Sequence, residues 1–293
     1  MLQQQLLNAL TLGSVYALFA LGFTLVFGVL AVINLSHGAL FMVGSYAALA
    51  LVTRCAAPLW LATIGAMAIS GILGLLVDVL ILKPLRMRNA PHLIPMIATI
   101  GVSIILTTGA QGLFGAEIQR FPEETLPAGD FVVGDVHVRA LEVVIVAIAF
   151  VLMAVMFTVL KRTQLGRALR AIAESPKAAW LLGIPVERLF HTTSFVAAAL
   201  GGVAGVLIGL DFNAITPQMG QPMLHKGIAV IILGGMGDIR GALIGGLFLG
   251  FVEVLSKAYW SSQMGDAVAF GLLFLILLVR PAGLFGRQLE RKA

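Results

Sequence analysis

Nine apolar stretches separated by short polar or glycine-rich turns fill most of this chain: residues 6–33, 39–53, 59–82, 93–114, 140–160, 191–210, 223–233, 242–260 and 267–279. Several exceed the roughly 18 residues that mark a candidate membrane helix, so the bilayer is the solvent for which the sequence is patterned. The first run is too long for one straight crossing. At about 1.5 Å per residue it reaches roughly 42 Å against a hydrocarbon core of about 30 Å, so a tilt or a break is expected. It ends in Asn34-Leu35-Ser36-His37-Gly38, a pentapeptide with turn and cap chemistry. The short run 223–233 stops at Gly234-Gly235-Met236-Gly237-Asp238-Ile239-Arg240-Gly241. Each of these stretches reads as an edge turn or as a break at depth, and the choice alters the span count and the side of the N-terminus. Gly201, Gly205 and Gly209 form a small-residue face for close helix contact. The predicted fold is an all-α polytopic membrane protein. It forms a single domain over 1–293, a bundle of about eight to nine transmembrane segments with broken helices.

Between the fifth and sixth runs lies a long, mostly polar stretch, residues 161–190, reading KRTQLGRALRAIAESPKAAWLLGIPVERLF. Leu165, Leu169 and Ile172 recur at helical spacing and make one apolar stripe. Ser175 suits a cap, Pro176 the first helical position, and Gly183 followed by Pro185 a stop. Two short amphipathic helices at a membrane surface are therefore predicted. A loop that only set topology would explain the cations there, but not the paired caps or the small residues.

Charge then orients the chain. Lys161, Arg162, Arg167, Arg170, Lys177 and Arg188 outnumber Glu174 and Glu187 in this stretch. Together with loops 83–92 and 280–293 it holds most of the chain's 19 Lys and Arg. Loop 115–139 is acidic instead, with Glu117, Glu123, Glu124, Asp130 and Asp135 against Arg120 and Arg139. If the runs alternate, the basic loops share one side, which the positive-inside rule makes cytoplasmic, and the N-terminus lies outside. No Lys or Arg precedes the first run, and no small-residue cleavage site is evident, so the first span is expected to be retained.

Composition excludes more than it identifies. With 59% hydrophobic and 11% charged residues, the chain is far from the roughly 25% charged of soluble domains. The net charge of +5 sits in membrane-flanking loops, so no nucleic-acid partner is expected. One cysteine, Cys55, permits no internal disulfide, and His37, His92, His137, His191 and His225 are scattered, so no metal site is expected. Phosphate-cradle and intramembrane hydrolase motifs are missing, so neither a catalytic residue nor a cofactor is predicted and the chain reads as no enzyme. Energy for any work must come from elsewhere.

The remaining polar positions have structural readings beside functional ones. Asn34, Ser36 and His37 either satisfy interrupted backbone or line a path for a polar solute. Lys226 is expected to snorkel to a membrane edge, Glu253 and Lys257 to pair along one helix, and Asp78 to be interfacial. No chain of intramembrane carboxylates suggests proton coupling. A faint internal echo pairs NLSHGAL with GDIRGAL, and paired breaks in two halves point to a substrate path.

With these residues in view, the sequence resembles the integral-membrane permeases of bacterial branched-chain amino acid ABC importers, the LivH type. Gly28 to Tyr46, Leu165 to Ile184 and Leu233 to Gly250 carry the resemblance. It implies that residues 161–190 form the helix seated in a groove of an ATPase subunit, with Gly166, Arg167, Arg170, Ala171, Glu174, Ala179 and Gly183 in the coupling contact. It also implies a homologous second permease, cytoplasmic ABC ATPase subunits and a periplasmic substrate-binding protein as partners in the inner membrane. Asn34, Ser36, His37, Gly234, Gly235 and Gly237 are the candidate translocation path. Ser175 stands where the family often has an acid, and Lys226-Gly227-Ile228 where it commonly has Lys-Ala-Phe. Branched-chain amino acids are the expected cargo. Urea, short amides or other amino acids fit the same architecture, and an ion-coupled carrier or channel is a more distant reading.

Overall fold

A computed structural model describes residues 2–91, 93–126, 129–133, 136–261, 264–280 and 283–285. His92, Asp135, Arg287, Arg291 and Lys292, used above for charge and spacing, lie outside the described residues. Each of the nine apolar runs is helical. Seven helices are long and apolar enough to cross a membrane, and two more, α10 and α12, have 15 residues each.

Helix α1 (Leu2–Leu30) is the axis, buried along nearly all its inner length because apolar and small side chains occupy every face. It packs on α11 (Ile239–Tyr259) and α9 (Val186–Asp211), while α2 (His37–Cys55) and α3 (Leu59–Val77) pack on α9 and on each other. The expected small-residue face is used. Gly205 lies against the Phe41 carbonyl and Gly202 against Gly44 and Ser70, with no room for a Cβ. Helices α5 (Leu93–Phe114), α6 (Ala140–Arg162) and α12 (Gly265–Val279) are outer members with large exposed apolar side chains.

The bundle has two distinct ends. At the acidic end, loop 115–139 is not the plain polar loop expected. Strands β1 (Asp130–Val133) and β2 (Val136–Arg139) pair antiparallel, Phe131 opposite Val138, so the all-α fold carries one small hairpin. Gln4 at the start of α1 bonds both ways with the His137 backbone, at 2.9 and 3.0 Å. At the basic end, α3 does not stop near residue 82 as the apolar pattern implied. A π-helical turn (Asp78–Leu82) carries it into α4 (Lys83–Met87), giving one 29-residue span, Leu59–Met87. The reason is local. Asp78 bonds Arg86 and His191, each at 2.6 Å, which holds the turn against α9.

The two ambiguous stretches resolve differently. Ala31, with φ of 52°, ends α1, and residues 31–36 run back into the bundle without helix. Helix α2 then begins at depth. The ring of His37 lies 4.7 Å from Phe19 and 5.4 Å from Phe23, well inside α1. Residues 234–241 form instead a tight turn at the basic end between α10 (Gly220–Gly234) and α11, with Gly234 packed on Gly241 and Gly235 and Gly237 at φ of 100° and 86°.

The counterpart of the first break is therefore not GDIRGAL, as the internal echo suggested. It is the extended segment 212–219, which enters from the acidic end, where Ile215 bridges Gln119 and Asn213 Oδ1 accepts from the Phe121 N–H at 2.8 Å. Helix α10 then starts against α2, Gly220 touching Gly38. From this contact α2 runs to the acidic end and α10 to the basic end. Extended backbone at depth is tolerated because protein, not lipid, surrounds it.

Candidate functional site

The 161–190 stretch forms two helices, α7 (Gln164–Glu174) and α8 (Pro176–Leu181), the second with the expected Ser175 cap and the first capped by Thr163, which the sequence reading did not single out. The Thr163 hydroxyl accepts from the Gly166 N–H and the Ser175 hydroxyl from the Ala178 N–H, both at 3.2 Å. Gly183, at φ of 79°, takes the left-handed turn that ends α8. Leu169 and Ile172 are buried, whereas Leu165, the third member of the predicted stripe, is 39% exposed.

The residues assigned to coupling divide into two faces. Gly166, Ala171 and Ala179 turn inward. Gly166 is pressed on the Leu160 backbone at the end of α6, with no space for a Cβ. Arg167, Arg170, Glu174 and Gly183 are exposed, yet the Arg170 guanidinium reaches back to donate to the Leu160 carbonyl. Helix α7 is thus fastened to the end of α6 by a glycine contact and an arginine bond. Beyond the carried-over set, Trp180, Leu181 and Leu182 are 67%, 71% and 80% exposed at the tip of α8. Sequence reasoning passed over this apolar tip. Its signal was a Trp-Leu-Leu run that falls off the helical stripe.

The candidate translocation residues do not form one group. Asn34, Ser36 and His37 are buried together, with Asn34 Oδ1 accepting from the Ser36 N–H at 3.0 Å and from its hydroxyl at 2.6 Å. Thr99 of α5 accepts the Leu35 N–H at 3.1 Å. These bonds satisfy the interrupted backbone, but both His37 ring nitrogens lack a hydrogen-bond partner. Gly234, Gly235 and Gly237 lie at the basic end, Gly237 beside Gly28. Gly28 is six positions beyond Gly22, which touches His37, so about 9 Å of helix rise separates the two sets.

A buried ionic cluster was also unforeseen. Lys226 does not snorkel. Its ammonium meets Glu253 at 2.6 Å, the Tyr16 hydroxyl at 2.9 Å and Asp266 at 3.1 Å, while Lys257 meets Glu253 at 2.6 Å. The expected pair of Glu253 and Lys257 along α11 is present, and Glu253, 1% exposed, also draws in Lys226 of α10 and Tyr16 of α1. The available signal was a lone Lys and a lone Glu in adjacent apolar helices, which must pair to lie at depth. Asp78, at the basic end, is fully buried beneath Arg86, which also stacks 4.6 Å from the Phe190 ring. Among the described residues no His, Cys, Asp and Glu group has metal-binding geometry.

A polytopic helical bundle with a broken first segment and a surface elbow is the architecture of an integral-membrane protein. Comparison with known proteins specifies it further: residues 5–277 match the family described as "Branched-chain amino acid transport system / permease component", and the chain belongs to that family. It is 38% identical to the high-affinity branched-chain amino acid transport system permease protein LivH of Escherichia coli K12, over 97% of this chain and 95% of that protein. BraD of Pseudomonas aeruginosa is 37% identical over the same shares. A probable LivH of Methanocaldococcus jannaschii is 31% identical over 95% of this chain and 91% of its own length. No solved structure matches the chain.

Proposed function

We propose that this permease passes branched-chain amino acids across the bacterial inner membrane, from a periplasmic binding protein to the cytoplasm, driven by a separate ATPase. The observation that carries the reading is the split elbow at 161–190. Its inner face is fastened to α6 through Gly166 and Arg170, and its outer face offers an apolar tip and the exposed Arg167 and Lys177 to a partner. An exposed apolar anchor is the anatomy of a docking element. ATP-driven closure of the ATPase would push α7 and α8, and the rigid junction with Leu160 would pass the motion to α6 and so to α1.

The positive-inside rule puts the elbow in the cytoplasm and the hairpin outside, where it would face the binding protein. A homologous second permease completes the pore. Leucine, isoleucine and valine are the cargo that the relatives' names support, ahead of urea, short amides or other amino acids. The test is reconstitution with the second permease, the ATPase and the binding protein in liposomes. ATP-dependent leucine uptake is expected. Uptake by the chain alone under an ion gradient, or an elbow labelled from the outer face, would overturn the proposal.

A further inference from the structure

At the acidic end a cavity of about 600 Å³ opens between α1, α6, α11 and the end of α9. Two carboxylates and two cations line it, and they are arranged by wall. Glu142 of α6 and Asp211 of α9 lie on one side, tied by Arg139 at 2.8 and 3.2 Å. Lys257 of α11 lies on another, anchored by the buried Glu253 at 2.6 Å. Gln4, Gln5, Asn8 and Thr11 of α1 line it as well, together with apolar Leu12, Phe212 and Val254. Glu142 is 4% and Asp211 14% exposed, so these charges are held in position rather than waving in solvent.

A free amino acid carries an ammonium and a carboxylate on one carbon and no net charge. A cavity with no net charge but with anions and a cation on separate walls is complementary to that dipole, whereas a cavity of one sign would select an ion. Spare capacity exists on both sides. An ammonium such as that of Lys257 has three donors and a carboxylate has several acceptor positions, and Lys257 and Asp211 each make one bond in the present arrangement. The apolar residues give an aliphatic side chain a surface to bury. A second cavity, of about 230 Å³, lies between the other ends of α1, α6 and α11 beside α7. The same three helices thus link the acidic-end cavity to the elbow.

We infer that the acidic-end cavity is the permease's own receiving site for a zwitterionic amino acid, with Asp211 facing its ammonium group and Lys257 its carboxylate. This rests on the transport reading above and adds where the cargo first touches the membrane subunit. The natural experiment is photolabelling of the assembled permease–ATPase complex with a diazirine analogue of leucine, without binding protein so that competition reports on the permease alone. Labelling at Phe212 or Val254 is expected, displaced by excess leucine and much less by 4-methylpentanoate, which lacks the ammonium group. Labelling elsewhere, equal displacement by 4-methylpentanoate, or labelling that leucine fails to displace (as when a phospholipid headgroup fills the cavity) overturns the site. In the complete system Ala258→Trp, at the exposed rim, is expected to remove most leucine uptake while loaded binding protein still stimulates ATP hydrolysis. Unchanged uptake in this variant counts against the site. No leucine uptake by the wild-type assembly would instead defeat the transport reading itself.

Discussion

The centre of the bundle and the elbow at its basic end are packed by opposite rules. In the centre α2 and α9 meet backbone to backbone, Gly44 on Gly202 and Gly205 on the carbonyl of Phe41. At these two points backbone meets backbone with no side chain to absorb a displacement, so the contact is stiff. At the elbow, α7 and α8 bury Leu169, Ile172 and Ala179 and leave Trp180, Leu181 and Leu182 outside. The elbow touches the body through few groups, concentrated at Leu160. A stiff body joined to a small, firmly hinged arm transmits a push; an equally soft pair would dissipate it.

The largest way to break this contrast is to force a side chain into the stiff interface. Gly44→Leu would drive α2 from α9, and overpacking against immovable backbone is expected to cost about 3 kcal/mol or more. Little monodisperse protein should be recovered from membranes; normal yield and melting would show that the interface is softer than its geometry. Next in size is the ionic cluster. Glu253→Leu removes the buried carboxylate from the Lys226 ammonium and leaves it the Tyr16 hydroxyl and the half-exposed Asp266, so the loss should approach but not exceed the about 3–5 kcal/mol of a fully broken buried pair. Thermal unfolding in detergent should fall accordingly, and adding Lys226→Met should restore much of it. Failure of the second change to help would mean that Lys226 is not the stranded charge.

Changes at the hinge should disturb the elbow locally and be severe for work. Arg170→Glu breaks the bond to the Leu160 carbonyl, at roughly 1–3 kcal/mol. Gly166→Trp, set against backbone as close as that at Gly44, displaces α7 from α6 at a higher cost. Both variants should still insert, yet hydrolyse ATP without matching uptake in the reconstituted system. Tight coupling in both would remove the lever from the account. Smallest for the fold is the tip. Trp180→Ser with Leu182→Ser alters exposed residues and should shift stability by less than about 0.5 kcal/mol each. Retention of the ATPase subunit during purification should drop nonetheless, and unchanged retention would place the docking contact elsewhere.

Much of the scaffold was readable along the chain. The nine apolar runs became helices, seven of them long and apolar enough to cross a membrane, and Ser175 and Gly183 marked the elbow's helices because caps and left-handed turns depend on neighbouring residues only. The candidate site was less legible. Its residue types were correct for an amphipathic surface helix, but which of Gly166, Arg170 and Ala179 turned inward depended on the position of α6, which no spacing within 161–190 encodes.

Periodicity, charge and caps by themselves determined that this is a polytopic helical membrane protein, where its apolar helices lie and which stretch forms two short amphipathic helices. Those signals are local, repeating over a few residues. Tertiary structure alone decided that α2 and α10 start against each other at Gly38 and Gly220, that Lys226 finds Tyr16 and Glu253, and that Lys257, Asp211 and Glu142 share one cavity. These partners are far apart in sequence, and what joins them is a property of the closed bundle. A buried charge or an interrupted backbone must be satisfied, but the packing of distant helices chooses the group that satisfies it.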